Sequence, residues 1–211
     1  MKQVADDVHV ISWSPLRLFN VFLVGDVLVD AGVRQSAWWI LRELRGRPLR
    51  ALALTHVHPD HAGGVTRLCG ELGVPVWCGA ADAGALEDGR SNYVPERPFH
   101  RFVGRVLGRA GHRVARRLRE GDELAAGFTV LETPGHSPGH LSLWRESDRA
   151  LLIGEVLLNI GLRPTEPLKL FTADPELNRR SARRLLELEP RLVCFSHGRV
   201  LRNGRKLSRY G

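Results

Sequence analysis

Four side chains of types that commonly bind metal ions lie within residues 56–61: His56, His58, Asp60 and His61. Thr55 directly precedes them. Imidazoles and a carboxylate that are buried together lack enough hydrogen-bond partners unless a cation supplies the opposing charge. The cluster therefore predicts a metal site, and it limits the chain to folds that can bring further ligands to this point.

The residues on either side place the cluster at the end of a strand. Residues 49–54 are mostly apolar and predict a buried strand, and residues 62–72 carry apolar side chains at helical spacing. The candidate ligands then occupy the turn between them, where a rigid scaffold can hold side chains around one centre.

The rest of the chain predicts a single α/β or α+β domain over residues 1–211, built from two sheets and interspersed helices. Predicted strands cover residues 8–13, 19–24, 27–30, 49–54, 74–78, 128–132, 141–144, 150–153 and 192–195. Predicted helices cover residues 36–44, 62–72 and 174–189, the last of which begins with a capping Asp174 and a first-turn Pro175.

Nothing in the sequence predicts a membrane span or a secretory signal. The longest apolar stretch, residues 18–33, is interrupted by Asn20, Asp26 and Asp30. Residues 1–7 have no apolar core of a signal peptide. Three cysteines in apolar surroundings predict buried free thiols. We therefore expect a cytoplasmic protein.

A basic segment dominates the charge pattern. Residues 101–119 carry seven of the chain's arginines and no acid, within a formal net charge of +8. Spacing every four residues predicts an Arg-rich helical insertion at about residues 80–119. Either it is a solvated face, or it is a lid that presents arginine to an anionic substrate. On the second interpretation, the candidate substrate contacts are Tyr93, Arg101, Arg105 and Arg109.

Other predicted strands also end at residues that can bind or support a metal. They are Asp30, His136 and His140 in the turn 133–140, Glu155, and His197. Together with the His-x-His-x-Asp-His pattern at 56–61, this order resembles the metallo-β-lactamase-fold hydrolases, which include glyoxalase II-type thioesterases, lactonases and phosphodiesterases. The resemblance covers nearly the whole chain. It implies a four-layer αββα sandwich of two mixed sheets flanked by helices.

The resemblance also implies a ligand set. A first ion would be bound by His56, His58 and His136, and a second by Asp60, His61 and His197, with Glu155 bridging. Asp30 and Thr55 would orient the ligating imidazoles, and His140 would support the site. The family normally has Asp at position 155, and the extra methylene of Glu155 extends the carboxylate by about 1.5 Å. A bridging Glu155, a Glu155 on one ion, and a single-ion site therefore stay open.

The function implied is hydrolysis of a thioester, ester or lactone by a hydroxide held at two zinc ions, with Asp60 orienting the water or accepting its proton. Iron or manganese also suits the mixed nitrogen and oxygen ligands. The expected partner is a small-molecule substrate, which the lid interpretation of the basic segment would make anionic. One alternative is a phosphodiesterase or nuclease, although arginine bias is poor evidence for nucleic acid. Another is a metal-binding module without activity.

Overall fold

The computed structural model describes residues 1–12, 18–92, 98–100, 102, 111–204 and 207, which form two β-sheets and their flanking helices. The first sheet has seven strands in chain order: β1 (Lys2–Ala5), β2 (Val8–Ser12), β3 (Asn20–Val24), β4 (Val27–Val29), β5 (Ala51–Leu54), β6 (Val76–Gly79) and β7 (Val114–Leu118). Its strands pair antiparallel from β1 to β4 and parallel from β4 to β7, so the sheet is mixed.

The second sheet has four strands in the order β11-β10-β9-β8. They are β8 (Thr129–Glu132), β9 (Leu141–Arg145), β10 (Ala150–Gly154) and β11 (Leu192–Phe195). The β10–β11 pair is parallel, and the other two pairs are antiparallel. Because β10 and β11 run the same way, the residues that follow them meet at one edge of the sheet.

Five helices complete the described architecture: α1 (Ala37–Leu44), α2 (Pro59–Ala62), α3 (Val65–Leu72), α4 (Ala83–Glu87) and α5 (Pro175–Glu187). Two 3₁₀ turns, Arg34–Ser36 and Lys169–Phe171, precede α1 and α5, and residues 98–100 are also helical. The predicted start of α5 is confirmed, because the Asp174 carboxylate accepts the backbone N–H groups of Glu176 and Leu177 at 3.0 and 2.9 Å.

Successive side chains along each strand point to opposite faces of the sheet, and this alternation produces the layers. In β5, Ala51 and Ala53 face the core between the sheets, whereas Leu52 and Leu54 pack with α1 and α3. In the second sheet, Leu152 faces the same central core, and its neighbours pack beneath α5. The order is helices, sheet, sheet, helix, and the predicted αββα sandwich of two mixed sheets is confirmed.

The prediction of an Arg-rich helical insertion at 80–119 is wrong over its last part. Residues 114–118 form β7, which pairs in parallel with β6. The alternating burial of this strand places Arg116 over the Trp77 ring at 5.1 Å, so its aliphatic stem covers an apolar surface. The spacing of the arginines also suits one face of a helix. The segment instead pairs with the free edge of β6 and therefore forms a strand. The first strand, β1, was not predicted either.

Two smaller predictions are confirmed. Cys69, Cys78 and Cys194 are buried thiols that form no disulfide, and burial raises the pKa of the Cys194 thiol to about 12. Gly25 and Asp26 separate β3 from β4, as the interrupted apolar stretch predicts. Among the helices of the described residues, none is long and apolar enough to cross a membrane.

Candidate metal centre

The cluster at 56–61 begins just after β5 and continues into the short helix α2. His58 is the N-terminal cap residue of α2 and has an extended backbone, and Pro59 occupies the first helical turn. Asp60 and His61 therefore project from one turn of helix, while His56 lies on the irregular chain between β5 and α2. Strand, cap and helix together present the four side chains to a common space.

Three residues of the second sheet reach the same space. His136 lies in the turn between β8 and β9, Glu155 directly follows β10, and His197 follows β11. The candidate ligands form two groups, within each of which the ligand atoms lie no more than 4.8 Å apart. The first group contains His56, His58, His136 and Glu155, and the second contains Asp60, His61, Glu155 and His197.

Glu155 belongs to both groups because its carboxylate reaches the middle of the cluster. Its Oε2 atom lies 3.1 Å from Nε2 of His61 and 3.1 Å from Nε2 of His197. The same oxygen lies 3.3 Å from Nε2 of His136 and 3.5 Å from Nε2 of His56. One oxygen atom thus faces four imidazole nitrogens that come from both sheets.

Hydrogen bonds on the far side of these rings assign their tautomers. His61 donates its Nδ1–H to Asp30 at 2.9 Å, and His197 donates its Nδ1–H to the Leu18 carbonyl. Thr55 donates its hydroxyl proton to Asp30, so His56 Nδ1–H donates to Thr55 Oγ1 at 3.1 Å. In each ring, the Nε2 atom therefore points into the cluster, where it offers a lone pair whenever the ring is neutral.

His136 follows the same arrangement. Its Nδ1 faces Thr172 Oγ1 at 3.4 Å, and that hydroxyl donates onward to the Leu168 carbonyl at 3.0 Å. His136 Nε2 also lies 3.0 Å from His58 Nδ1. Four lone pairs and a carboxylate oxygen therefore converge, and the buried His56 Nε2 has no hydrogen-bond partner among the described residues. Cations satisfy such a donor set, so the residues present fit metal ions.

The electrostatics of the two groups differ. Burial and the neighbouring imidazole of His61 hold the pKa of His56 well below its usual value. Burial also lowers the pKa of His197, but the carboxylates of Glu155 and Asp60 outweigh this effect and raise the pKa to about 10. The second group therefore attracts positive charge strongly, and a metal ion would compete there with a proton.

Asp30 connects the cluster to the first sheet. It is fully buried, has a left-handed backbone with φ of 67°, and follows β4. Its carboxylate accepts the Thr55 backbone N–H at 2.8 Å in addition to the Thr55 hydroxyl and the His61 ring. The structure thus places Asp30 and Thr55 behind two of the imidazoles, where they fix ring orientation.

His140 lies beside the cluster with both ring nitrogens engaged. Its Nε2 accepts the Glu155 backbone N–H at 2.9 Å. Its Nδ1–H donates to Thr133 Oγ1 at 2.8 Å, in a chain that continues through Ser142 Oγ to the Ile153 carbonyl. The ring therefore holds the backbone of Glu155 rather than pointing a free nitrogen into the centre.

Asp82 was missed by the sequence analysis. It is fully buried after β6 and accepts Ser137 Oγ at 2.8 Å, the Gly139 backbone N–H at 2.8 Å and Asn92 Nδ2 at 2.6 Å. These bonds attach the turn that carries His136 to the first sheet. The rule that strand ends carry polar functional residues, applied also to β6, could have found it.

We expect Asp82→Ala to destabilise the fold by at least about 2 kcal/mol, because it leaves several buried donors without an acceptor. Urea unfolding measures this change. Asp88→Ala is the matched control, since Asp88 is an exposed acid whose ion pair is with Arg90 at the surface. Equal unfolding midpoints for the two variants would contradict the role of Asp82.

The predicted substrate contacts Tyr93, Arg101, Arg105 and Arg109 lie outside the described residues. By contrast, each predicted ligand or supporting residue is described and lies at the cluster. They are His56, His58, Asp60, His61, His136, Glu155, His197, Asp30, Thr55 and His140.

Known proteins resemble the chain over most of its length. A probable metallo-hydrolase of Bacillus subtilis, YflN, is 29% identical over 82% of this chain and 75% of its own length. The hydroxyacylglutathione hydrolase of Bdellovibrio bacteriovorus is 29% identical over 70% of this chain. The match covers 48% of that relative, so this chain spans about half of its length.

A solved structure shares the fold. The crystal structure of TTHA1623 in a di-iron-bound form is 28% identical, with a TM-score of 0.75 over 96% of this chain and 98% of its own. Residues 19–197 also match the family model described as the metallo-beta-lactamase superfamily. Since that match covers most of the 211 residues, the chain belongs to the metallo-beta-lactamase superfamily of metal-dependent hydrolases.

Proposed function

We propose that this protein hydrolyses a thioester, ester or lactone at a centre of two metal ions. The observation that carries the proposal is the position of Glu155 Oε2, which lies within 3.5 Å of four imidazole Nε2 atoms. A carboxylate placed between two groups of histidines suits two cations that share it.

The ligand roles proposed are those implied by the family pattern. The first ion would be held by His56, His58, His136 and Glu155, and the second by Asp60, His61, Glu155 and His197. Zinc suits this histidine-rich set, and iron or manganese are the alternatives. Ions bound here would lower the pKa of water and polarise the oxygen of the substrate.

Asp60 is proposed to handle the proton of the attacking water. Its carboxylate is 25% exposed, compared with 12% for Glu155, so it meets solvent at the edge of the centre. Burial raises the pKa of Asp60, but His61 and His197 outweigh this effect and lower the pKa, which keeps the group an acceptor.

A thioester is the substrate class that we favour. Support comes from the hydroxyacylglutathione hydrolases among the relatives, although this chain spans about half the length of the one from Bdellovibrio bacteriovorus. A small anionic substrate and a cytoplasmic location are the accompanying expectations from the sequence. The phosphodiesterase alternative depends on arginines that lie outside the described residues.

The test loads the protein with zinc, iron or manganese and measures its turnover of a thioester and of a bis-aryl phosphodiester. We expect turnover of the thioester at a rate well above that of the phosphodiester. A preference for the phosphodiester would replace the proposal with the alternative activity. Less than one metal ion per purified chain, with no turnover of either substrate after loading, would support a binding module.

Glu155 can be tested separately through metal affinity. We expect Glu155→Gln to weaken binding by at least about tenfold, because it removes the negative charge shared by the two groups. Glu155→Asp retains the charge, and we expect it to keep two ions per chain. Competition with a chromogenic chelator measures both affinities. Wild-type affinity in Glu155→Gln would place Glu155 outside the metal ligands.

A further inference from the structure

Exposed apolar side chains are concentrated beside the candidate metal centre. Among the described residues, the large apolar side chains with the greatest exposure are Met1, Trp38, Phe99, Phe102, Ile160, Leu162, Leu168 and Leu170. Six of these eight lie in residues 99–102 and 160–170. Single exposed apolar residues are ordinary, but a concentration of them marks a surface that binds something apolar.

Residues 156–172, here called the covering segment, carry four of the six. The segment starts directly after Glu155 and forms a hairpin in which Leu158 and Thr165 exchange two backbone hydrogen bonds of 2.8 Å. Ile160 is about half exposed on this hairpin, and Leu162 is fully exposed. The hairpin therefore presents these two apolar side chains to solvent.

The base of the hairpin is bonded to the chain around His197. The Asn159 N–H donates to the His197 carbonyl at 2.9 Å, and Arg199 N–H donates to the Asn159 carbonyl at 3.0 Å. Asn159 Nδ2 also donates to the Arg199 carbonyl at 2.7 Å. The first half of the covering segment is therefore fixed relative to one candidate ligand.

The second half is bonded to the chain around His136. Thr172 Oγ1 faces the His136 ring at 3.4 Å, and the Ala173 N–H donates to the His136 carbonyl at 3.1 Å. Leu168 and Leu170 are exposed just before this point. The covering segment is thus attached beside Glu155, beside His197 and beside His136.

Two aromatic residues from another part of the chain pack against the second half of the covering segment. The Phe171 ring lies 6.0 Å from Phe99 and 5.9 Å from His100, and His100 Nε2–H donates to the Leu170 carbonyl at 2.7 Å. Phe99 is itself about half exposed. The apolar surface therefore extends from the covering segment onto Phe99.

We propose that Ile160, Leu162, Leu168 and Leu170 bind an extended apolar acyl group of the substrate, an inference that rests on the proposed hydrolysis of an acyl compound. The four side chains lie on a segment attached to the candidate ligands at three points, so an acyl group that reacts at the centre can lie against them. Binding would remove apolar surface of both the acyl group and these side chains from water. A short polar acyl group has no such surface to bury.

The first experiment measures kcat/KM for thioesters of one thiol whose acyl group lengthens from acetyl to decanoyl. We expect kcat/KM to rise up to about fourfold for each added methylene until the surface is covered. In the double variant Leu162→Ser/Leu168→Ser, we expect the ratio of decanoyl to acetyl kcat/KM to fall by at least about tenfold. Trp38→Ser is the matched control, because Trp38 is also exposed but lies on α1.

The second experiment uses binding to the metal-free protein, so that it does not depend on turnover. Calorimetric titration should show decanoate binding more tightly than butyrate, with a negative heat-capacity change that the double variant loses. If decanoate binds in this way but no thioester is hydrolysed, the apolar site stands and the proposed function fails.

Two outcomes would overturn the inference. One is thioester hydrolysis that is independent of acyl length, together with equal binding of decanoate and butyrate. The other is a dimer in sedimentation that the double variant converts to a monomer while the acyl preference is unchanged, which would make the surface an interface between two copies of the chain.

Discussion

His58→Ala is expected to lower kcat/KM by at least about 100-fold while leaving a folded, cooperatively melting domain. His58 is buried, and its Nδ1 lies 3.0 Å from His136 Nε2 in the first candidate ligand group. Removing a proposed ligand should cost at least as much as the 10- to 100-fold typical of residues that only support ligands. His58 makes no side-chain capping bond to α2, and its backbone carbonyl, which accepts the N–H groups of His61 and Ala62, is retained in alanine, so the fold should survive.

The measurements are steady-state kinetics, metal content per chain and thermal melting followed by circular dichroism. His9→Ala is the matched control, because His9 lies on β2 and in neither candidate ligand group. We expect the control to keep both its metal and its turnover. Turnover at the wild-type rate in His58→Ala would remove the metal mechanism.

Gly198→Ala is expected to have the largest effect on stability, at least about 3 kcal/mol. The backbone at Gly198 has φ of 103°, a conformation that residues other than glycine rarely adopt. An added Cβ would also lie 2.0 Å from the Asn159 carbonyl oxygen and 2.1 Å from its carbon. Relief of this clash must move the base of the covering segment or the neighbouring His197, so metal affinity should fall as well.

Gly121→Ala separates the two causes. Gly121 has φ of 84°, but an added Cβ would meet no atom within 4 Å. We expect this variant to lose only about 1 kcal/mol from the strained backbone, with unchanged metal affinity. Urea unfolding and chelator competition on both variants provide the comparison. Equal losses of stability would show that the close approach at Asn159 has no energetic effect.

The positions of the candidate ligands could be predicted because each follows a strand with a strong hydrophobic pattern. Leu151 to Ile153 predict β10, for example, and Glu155 comes directly after it. What the sequence left open was the reach of the longer Glu155 side chain. That reach depends on Gly154, which has φ of 63° and approaches the His140 ring so closely that a Cβ there would lie 2.5 Å from Nε2.

The wrong prediction at β7 and the missed Asp82 both involve partners that are far away in the sequence. The residues of β7 alternate in burial, but their arginines also recur at helical spacing, and the choice between the two depends on β6, far away in the sequence. Asp82 was equally hard to identify, because its donors Ser137 and Gly139 come from a loop far away in the sequence. Local periodicity carries no information about such partners.

The convergence of both sheets on one carboxylate oxygen has a consequence for folding. His56 and His61 are carried by the first sheet, and His136, Glu155 and His197 by the second. Ions bound as proposed would cross-link two layers that otherwise adhere mainly through their shared apolar core. Because such ions bind the folded chain in preference to the unfolded one, they would raise its unfolding free energy with their concentration. Metal supply would then govern how long the protein survives as well as how fast it works.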